Sequence, residues 1–369
     1  MKQKPSSRTR STAGTSASGK PQNAAIADRP IELTVVPGLS AIAVEEVRQV
    51  IGPLAGMHSV PDAIRGRYRG RLHDLTRLRS ITAAFLVRDY AIPRPRALLG
   101  DAQFRDLLAQ ISLVRRLHPP EAFGSFYLSA AGSDTGVMRR LRDELARHSG
   151  LAVAAEEGDL QLRLRPAPGA AGWQVLLRLS PRPLATRAWR VCNLAGALNA
   201  TVAYAMAQLG EAQPGDTFLN LACGSGSLLI ERGLAAPAAR LIGCDNDPAV
   251  LECAAANLAA AGVAAELQPW DAGNLPLPDQ SIDVLSADLP FGHHVGSHRE
   301  NQALYPHVLA EAARVARPGA ICTLISHEIR LLEALLASSD TWQVIQVLPI
   351  NLRGLHPRIF VLRRTSASR

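Results

Sequence analysis

Beyond about residue 181 the chain alternates short apolar strands with helices, and this alternation restricts its fold more than any other feature. Apolar runs at 217–221, 240–244, 265–268, 282–287 and 320–326 read as five strands, and helical patterns at 228–234, 248–261, 301–316 and 328–337 separate most of them. Parallel neighbours need a crossover, and a helix supplies it, so the expected core is a doubly wound α/β sheet. A final pair, 342–348 and 358–362, has no helix between its members and reads as an antiparallel edge hairpin, which a nucleotide dehydrogenase does not need. The stretch 191–210 carries no formal charge and is long enough to cross a bilayer. Asn193, Asn199, Thr201 and Gln208 interrupt it, so it reads as a buried amphipathic helix and no membrane span is expected.

The sequence LNLACGSGSLLIE, residues 219–231, is a strand, a glycine turn and a helix start. Such a turn lets backbone N–H groups approach a ligand without side-chain obstruction, and Gly224 and Gly226 are the expected close-approach positions. A pyrophosphate fingerprint would place a third glycine where Leu229 stands, and no Lys-Ser/Thr pair follows as in a P-loop. Asp245 ends the second strand, where a carboxylate can accept both ribose hydroxyls, and Asp271 follows the third, where it can accept an adenine amine. An adenosyl ligand satisfies both. Cys223 lies in the same turn and is read as a small wall residue of that site, not as a nucleophile.

About sixty residues after the glycine turn, the fourth strand ends in Asp288-Leu289-Pro290-Phe291-Gly292. An amine becomes a methyl acceptor when two hydrogen-bond acceptors hold its N–H groups and an aromatic ring clamps its base. The Asp288 carboxylate and the carbonyl of Leu289 or Pro290 are the expected acceptors, and Phe291 the ring. His293, His294 and His298 follow, with Glu300 as the nearby carboxylate; phosphate contact or plain exposure is expected of them, and no metal site. Five cysteines without C-x-x-C spacing argue against a disulfide framework and fit a reducing, cytoplasmic setting.

The net charge of +8 conceals two opposite signs. Residues 1–29 carry +5, residues 30–190 carry +8, and residues 191–369 carry −5. Clustered arginines in a front half are the footprint of a polyanion-binding module joined to one with another task. Residues 1–29 lack apolar periodicity and read as a disordered basic tail, though their composition also fits a transit peptide. Arg65, Arg67, Arg69 and Arg71 alternate with small or aromatic residues and would line one face of an extended strand, as phosphate contacts or as a solvated edge. Arg139, Arg140 and Arg142 share a short helix at 136–148 with Arg147, which favours a polyanion.

With these motifs in view, the chain resembles the THUMP-domain class I RNA methyltransferases, the group that makes N2-methylguanosine in tRNA. ELTVVPGLSAIAVEEV resembles the opening of their ferredoxin-like domain, and residues from about 125 to 180 their THUMP domain. SPRPLATRAWRV, LACGSGSLLIE, GCDND, DLPFG and LYPHVLAEAARVARPGA resemble successive parts of their catalytic domain. The resemblance implies a basic tail at 1–29, a ferredoxin-like α+β domain at 30–120, a THUMP RNA-binding domain at 121–182 and a Rossmann-like class I methyltransferase sheet at 183–364. It implies S-adenosyl-L-methionine as cofactor, held by Asn220, Cys223, Gly224, Gly226, Asp245, Asn246 and Asp271, with Asp288, Pro290 and Phe291 on a target guanine. Where relatives carry Asp, Asn220 stands, which weakens an expected contact to the methionine ammonium. The expected substrate is tRNA, methylated by a monomer in the acceptor stem at guanosine 6. Ribosomal RNA, guanosine 10 of tRNA, and a non-catalytic RNA-binding subunit are the alternatives.

Overall fold

The computed structural model describes residues 28–131, 135–169, 171–290, 297–352 and 354–366. Phe291, His293 and His294 fall outside these residues, as does the basic tail up to residue 27. The front half runs β1 (Arg29–Val35), α1 (Ser40–Val50), β2 (Ala55–Val60), β3 (Ala63–Tyr68), β4 (Ile81–Tyr90), α2 (Asp101–Arg115), β5 (Ser125–Ala130), α3 (Gly136–Ser149), β6 (Ala152–Val153), β7 (Leu160–Pro166) and β8 (Trp173–Arg178). These strands form one sheet in the order β2-β3-β1-β4-β8-β7-β5-β6. The expected boundary near residue 120 therefore falls inside a continuous sheet, joined where Phe85–Tyr90 of β4 pairs antiparallel with Trp173–Arg178 of β8. One apolar core, from Leu33 and Val47 through Leu107 and Ile111 to Leu141 and Leu162, lies under α1, α2 and α3, and a smaller cluster joins Ala83, Phe85, Val87 and Leu176.

The arginine comb is shorter than its spacing suggests. Only Arg65 and Arg67 lie in β3; Arg69 follows it, and Arg71 precedes a short 3-10 turn, Leu72–Arg77. Each has a carboxylate neighbour: Arg65 reaches Glu32 at 2.7 Å, Arg67 and Arg69 reach Asp28 at 2.9 and 3.8 Å, and Arg71 reaches Asp74 at 3.2 Å. Arg29, the last residue of the expected tail, belongs to β1.

The rear half runs α4 (Ala200–Leu209), β9 (Thr217–Leu221), α5 (Ser227–Ala235), β10 (Arg240–Cys244), α6 (Pro248–Ala261), β11 (Glu266–Gln268), β12 (Ile282–Asp288), α7 (His298–Val315), β13 (Ala316–Ser326), α8 (Ile329–Ala337), β14 (Trp342–Pro349) and β15 (Arg358–Arg364). Its sheet order is β11-β10-β9-β12-β13-β15-β14, parallel through β13 and antiparallel at the closing hairpin. This is the Rossmann-like arrangement with an antiparallel edge that the sequence predicts. Phe218 to Leu221 and Val284 to Ala287 are buried, as parallel strands covered on both faces must be. Asp247 caps α6 through Ala249 N–H, Pro248 occupies its first turn, and Gly262 ends it at φ +64°.

The stretch 191–210 is only half helix. Asn199 caps α4 by accepting Thr201 N–H at 2.9 Å, and Gly196 at φ +75° belongs to an irregular strap that precedes it. Among the described residues no helix is long and apolar enough to cross a membrane.

The two halves share a core. Val36 and Leu39 pack with Val202, Met206, Ile325, Ile350 and Ile359. Gly38, at φ +99°, lies so close to the end of β14 that a Cβ there would meet the Pro349 carbonyl at 2.1 Å. Beside this contact the fully buried Glu231 of α5 receives Arg79 at 2.5 Å and Arg187 at 3.0 Å, while Arg187 also donates to the Arg79 carbonyl at 2.6 Å. Two guanidiniums on one carboxylate fix the front sheet to the rear one.

Candidate active site

The carboxyl ends of β9, β10 and β12 converge as the doubly wound topology requires. Between β9 and α5 the chain turns through Ala222, Gly224 and Gly226, all at positive φ, and Cys223 N–H is held by the Cys244 carbonyl at 2.8 Å. Asp245 supports the turn directly. Its Oδ2 accepts Gly224 N–H at 3.0 Å and its Oδ1 accepts Asp247 N–H at 3.2 Å. Asp271 accepts Gly273 N–H at 2.8 Å.

A cavity of about 490 Å³ opens at this point, lined by Gly224, Asp245, Asn246, Trp270, Asp271 and Asp288 among others. A glycine backbone, a strand-end carboxylate, a flat indole and a further carboxylate are the donor and acceptor set of an adenosyl group, so the residues present fit that cofactor. Cys223 lines the cavity as well, and burial pushes its thiol far above the usual range, which leaves it a wall and not a nucleophile.

Two residues expected at the cofactor are not among those that line this cavity. Gly226 does not line the cavity; it starts α5 at φ +78° and packs on Ala254 of α6, where a Cβ would sit 3.4 Å from the Ala254 Cβ. Asn220 also lies away from the cavity, buried between strands, with its amide donating to the Leu221 carbonyl at 3.2 Å and the Ser286 carbonyl at 3.1 Å. A carboxylate could make neither bond, which gives Asn at this position a local reason.

A second cavity, of about 910 Å³, lies on the other side of the strap and is lined by Thr186, Arg190, Asn193, Asn199, His327 and Leu355 among others. Residues 194–198 face both cavities, and outside that segment Asp288 is the one lining residue the two share. The strap is pinned from several sides. Arg190 donates to the Leu198 carbonyl at 2.8 Å and to Ser227 Oγ at 2.9 Å, and Asn257 grips both the N–H and the carbonyl of Cys192. Cys192 is also disulfide-bonded to Cys253 of α6, a single pair that the absence of C-x-x-C spacing does not announce. The partners are 61 residues apart, so spacing could not reveal a pair that the fold creates.

Asp288 closes β12 with no donor reaching its carboxylate among the described residues, and burial pushes it up to about 7. Next to it, Leu289 N–H donates to the Ile325 carbonyl at 3.0 Å, and the Pro290 carbonyl accepts the Tyr305 hydroxyl at 2.7 Å. His298 is paired with a carboxylate, its Nδ1 lying 2.8 Å from Glu328. On α3, Arg139 and Arg140 are exposed and Arg142 is half-buried, remote in sequence and sheet from these cavities. Sequence reasoning missed Trp270, the strap and Tyr305. Trp270 stands directly before Asp271, and a tryptophan at the end of a strand that bears a ligand carboxylate was a usable signal.

Known proteins share sequence and fold with this chain. Residues 187–358 match the UPF0020 family model, an RMKL-like methyltransferase domain. Asp288 and most of the residues that line the two cavities fall within this matched stretch. A mouse protein, tRNA (guanine(6)-N(2))-methyltransferase THUMP3, is 32% identical over 184 residues, which are 46% of this chain and 36% of the mouse protein. The chain thus spans about a third of the length of that relative. The tRNA (guanine(6)-N2)-methyltransferase of Thermus thermophilus is 25% identical over 347 residues, covering 90% of this chain and 99% of its own. The crystal structure of TrmN from Thermus thermophilus superposes with a TM-score of 0.69 at 22% identity, over 91% of this chain and 99% of that one.

Proposed function

We propose that this protein transfers a methyl group from S-adenosyl-L-methionine to the exocyclic N2 of a guanosine in tRNA, at guanosine 6 of the acceptor stem. One observation carries the reading: Asp288 is the side chain, outside the strap, that faces both cavities, so a donor in one and an acceptor in the other would meet at its carboxylate. The names of the mouse and Thermus relatives support the choice of base, nitrogen and position. S-adenosylmethionine would supply an electrophilic sulfonium methyl; Asp245, Asn246, Asp271 and the Gly224 backbone are the residues to hold it, with Trp270 against its adenine.

The protein's own work is positioning. The Asp288 carboxylate accepts one N–H of the amine. Because the Pro290 carbonyl is already engaged by Tyr305, the Leu289 carbonyl is the acceptor for the other. With both hydrogens held, nitrogen lone-pair density points out of the base plane. Attack on the methyl makes the nitrogen acidic, and a carboxylate raised to about 7 takes its proton more readily than an ordinary one. Phe291 is the proposed base clamp. Residues 121–182 are the proposed THUMP module, with Arg139, Arg140 and Arg142, together with Arg65, Arg67, Arg69 and Arg71, proposed to meet tRNA phosphates. The proposed setting is the cytoplasm, acting as a monomer.

The test is transfer of labelled methyl groups to unmodified tRNA, followed by nucleoside analysis and mapping. N2-methylguanosine at position 6 is expected. Label in 5-methylcytidine or N6-methyladenosine overturns the reaction, and N2-methylguanosine confined to ribosomal RNA rejects the substrate.

A further inference from the structure

Tyr305 lies on α7, is fully buried, and lines neither cavity, so it touches neither proposed substrate. Its hydroxyl nevertheless sits 2.7 Å from the Pro290 carbonyl and 2.8 Å from Ser326 Oγ, and Ser326 Oγ in turn lies 2.9 Å from the Glu328 backbone nitrogen. The direction of this chain is fixed by chemistry. A carbonyl can only accept, so the Tyr305 proton is committed to Pro290. The Ser326 proton must then go to the Tyr305 oxygen, and the Ser326 oxygen accepts Glu328 N–H. Every buried polar group along the line is satisfied in this one arrangement.

The segment it ends on is the one that carries the reacting groups. Leu289 N–H is tied to β13 through the Ile325 carbonyl, and the Pro290 carbonyl is tied to α7 through Tyr305. Among the described residues no donor reaches either group that lies between and beside these ties, the Leu289 carbonyl and the Asp288 carboxylate.

We propose that Tyr305 is a positioning residue for methyl transfer: its hydroxyl, oriented by Ser326 and the Glu328 amide, clamps the Pro290 carbonyl and thereby aims the Leu289 carbonyl and the Asp288 carboxylate into the opening shared by the two cavities. The inference rests on the proposed reaction for its catalytic consequence, but the clamp itself is a property of the fold. Removing the hydroxyl leaves the apolar ring in place, so the Tyr305→Phe protein keeps its packing while the Pro290 peptide gains freedom to rotate.

The experiment uses full-length wild type, Tyr305→Phe and Ser326→Ala. Hydrogen exchange is read on peptides covering 286–290 and, as a control, 217–221, alongside methyl transfer to tRNA. Tyr305→Phe is expected to speed exchange at Leu289 about tenfold with the control unchanged, and to lower kcat by about tenfold while KM for tRNA stays within about twofold, the pattern of lost orientation. Ser326→Ala keeps the Tyr305–Pro290 bond and should show smaller effects of the same kind; it also carries the test if the Tyr305→Phe protein does not fold. Wild-type exchange at Leu289 in Tyr305→Phe overturns the clamp, and faster exchange with an unchanged kcat overturns its role in positioning. A Ser326→Ala effect larger than that of Tyr305→Phe overturns the proton direction. Faster exchange in a protein whose wild type methylates no guanine means that the reaction assignment has failed and the clamp stands.

Discussion

Replacing Asp288 by Asn removes a charge that the fold holds at a cost, and the structure sets the size of the effect. Burial raises the carboxyl from an ordinary 3.8 to about 7. A group raised in this way favours folding while protonated, so its stabilising proton is fully bound below about pH 4 and is lost as the pH passes 7. Each tenfold gain in proton affinity is worth about 1.4 kcal/mol, so the ionised carboxylate costs the wild type about 4 kcal/mol above pH 7. Cavity water screens part of this, and about half is the working figure. The Asp288→Asn protein should therefore gain stability over wild type as pH rises, by about 1–2 kcal/mol more at pH 8.5 than at pH 5. Denaturant unfolding of both proteins at the two pH values measures it. Methyl transfer should move the opposite way, with kcat of the wild type rising through pH 7 and Asp288→Asn losing most turnover. A stability difference that stays flat with pH would refute the half-buried, unpartnered carboxylate on which the catalytic reading depends.

Asp245→Ala should weaken S-adenosylmethionine binding by about 1.5–3 kcal/mol in calorimetry, since the carboxylate both supports Gly224 and is assigned to the ribose hydroxyls. Glu231→Ala leaves the half-buried Arg79 and Arg187 without their carboxylate and should cost about 3–5 kcal/mol, with both halves lost in one thermal transition. Neutralising Arg139, Arg140 and Arg142 in the full chain should flatten the salt dependence of tRNA affinity by about 0.7–0.9 in log–log slope for each phosphate contact removed. A slope equal to wild type would take α3 out of the RNA surface.

The rear half is the legible part of the chain. Parallel strands covered on both faces appear as unbroken apolar runs, and acids at their ends mark the side on which a ligand can bind. Asp245, Asp271 and Asp288 can thus be placed from order alone, and all three face one cavity. Gly226 stays ambiguous in sequence because a glycine needed for a helix start and one needed for ligand approach look alike there. The Ala-rich strand β4 and the amphipathic helix α2 give weak signals, since short apolar runs fit either periodicity. The union of the two front units into one sheet, the Cys192–Cys253 bond and the Tyr305 clamp all join residues far apart in sequence. No local pattern encodes such contacts.

The strap at 194–198 has a further consequence. Its middle is Ala-Gly-Ala, and those residues form the partition between the two cavities. A partition this thin cannot be reshaped on one side only. A side chain enlarged to tighten the hold on one guest takes volume from the other, so affinity for the small guest and affinity for the large one are drawn from the same few ångströms. If each cavity takes one of the proposed substrates, change at these positions acts on both at once, and a new RNA target would have to be accommodated elsewhere on the wall.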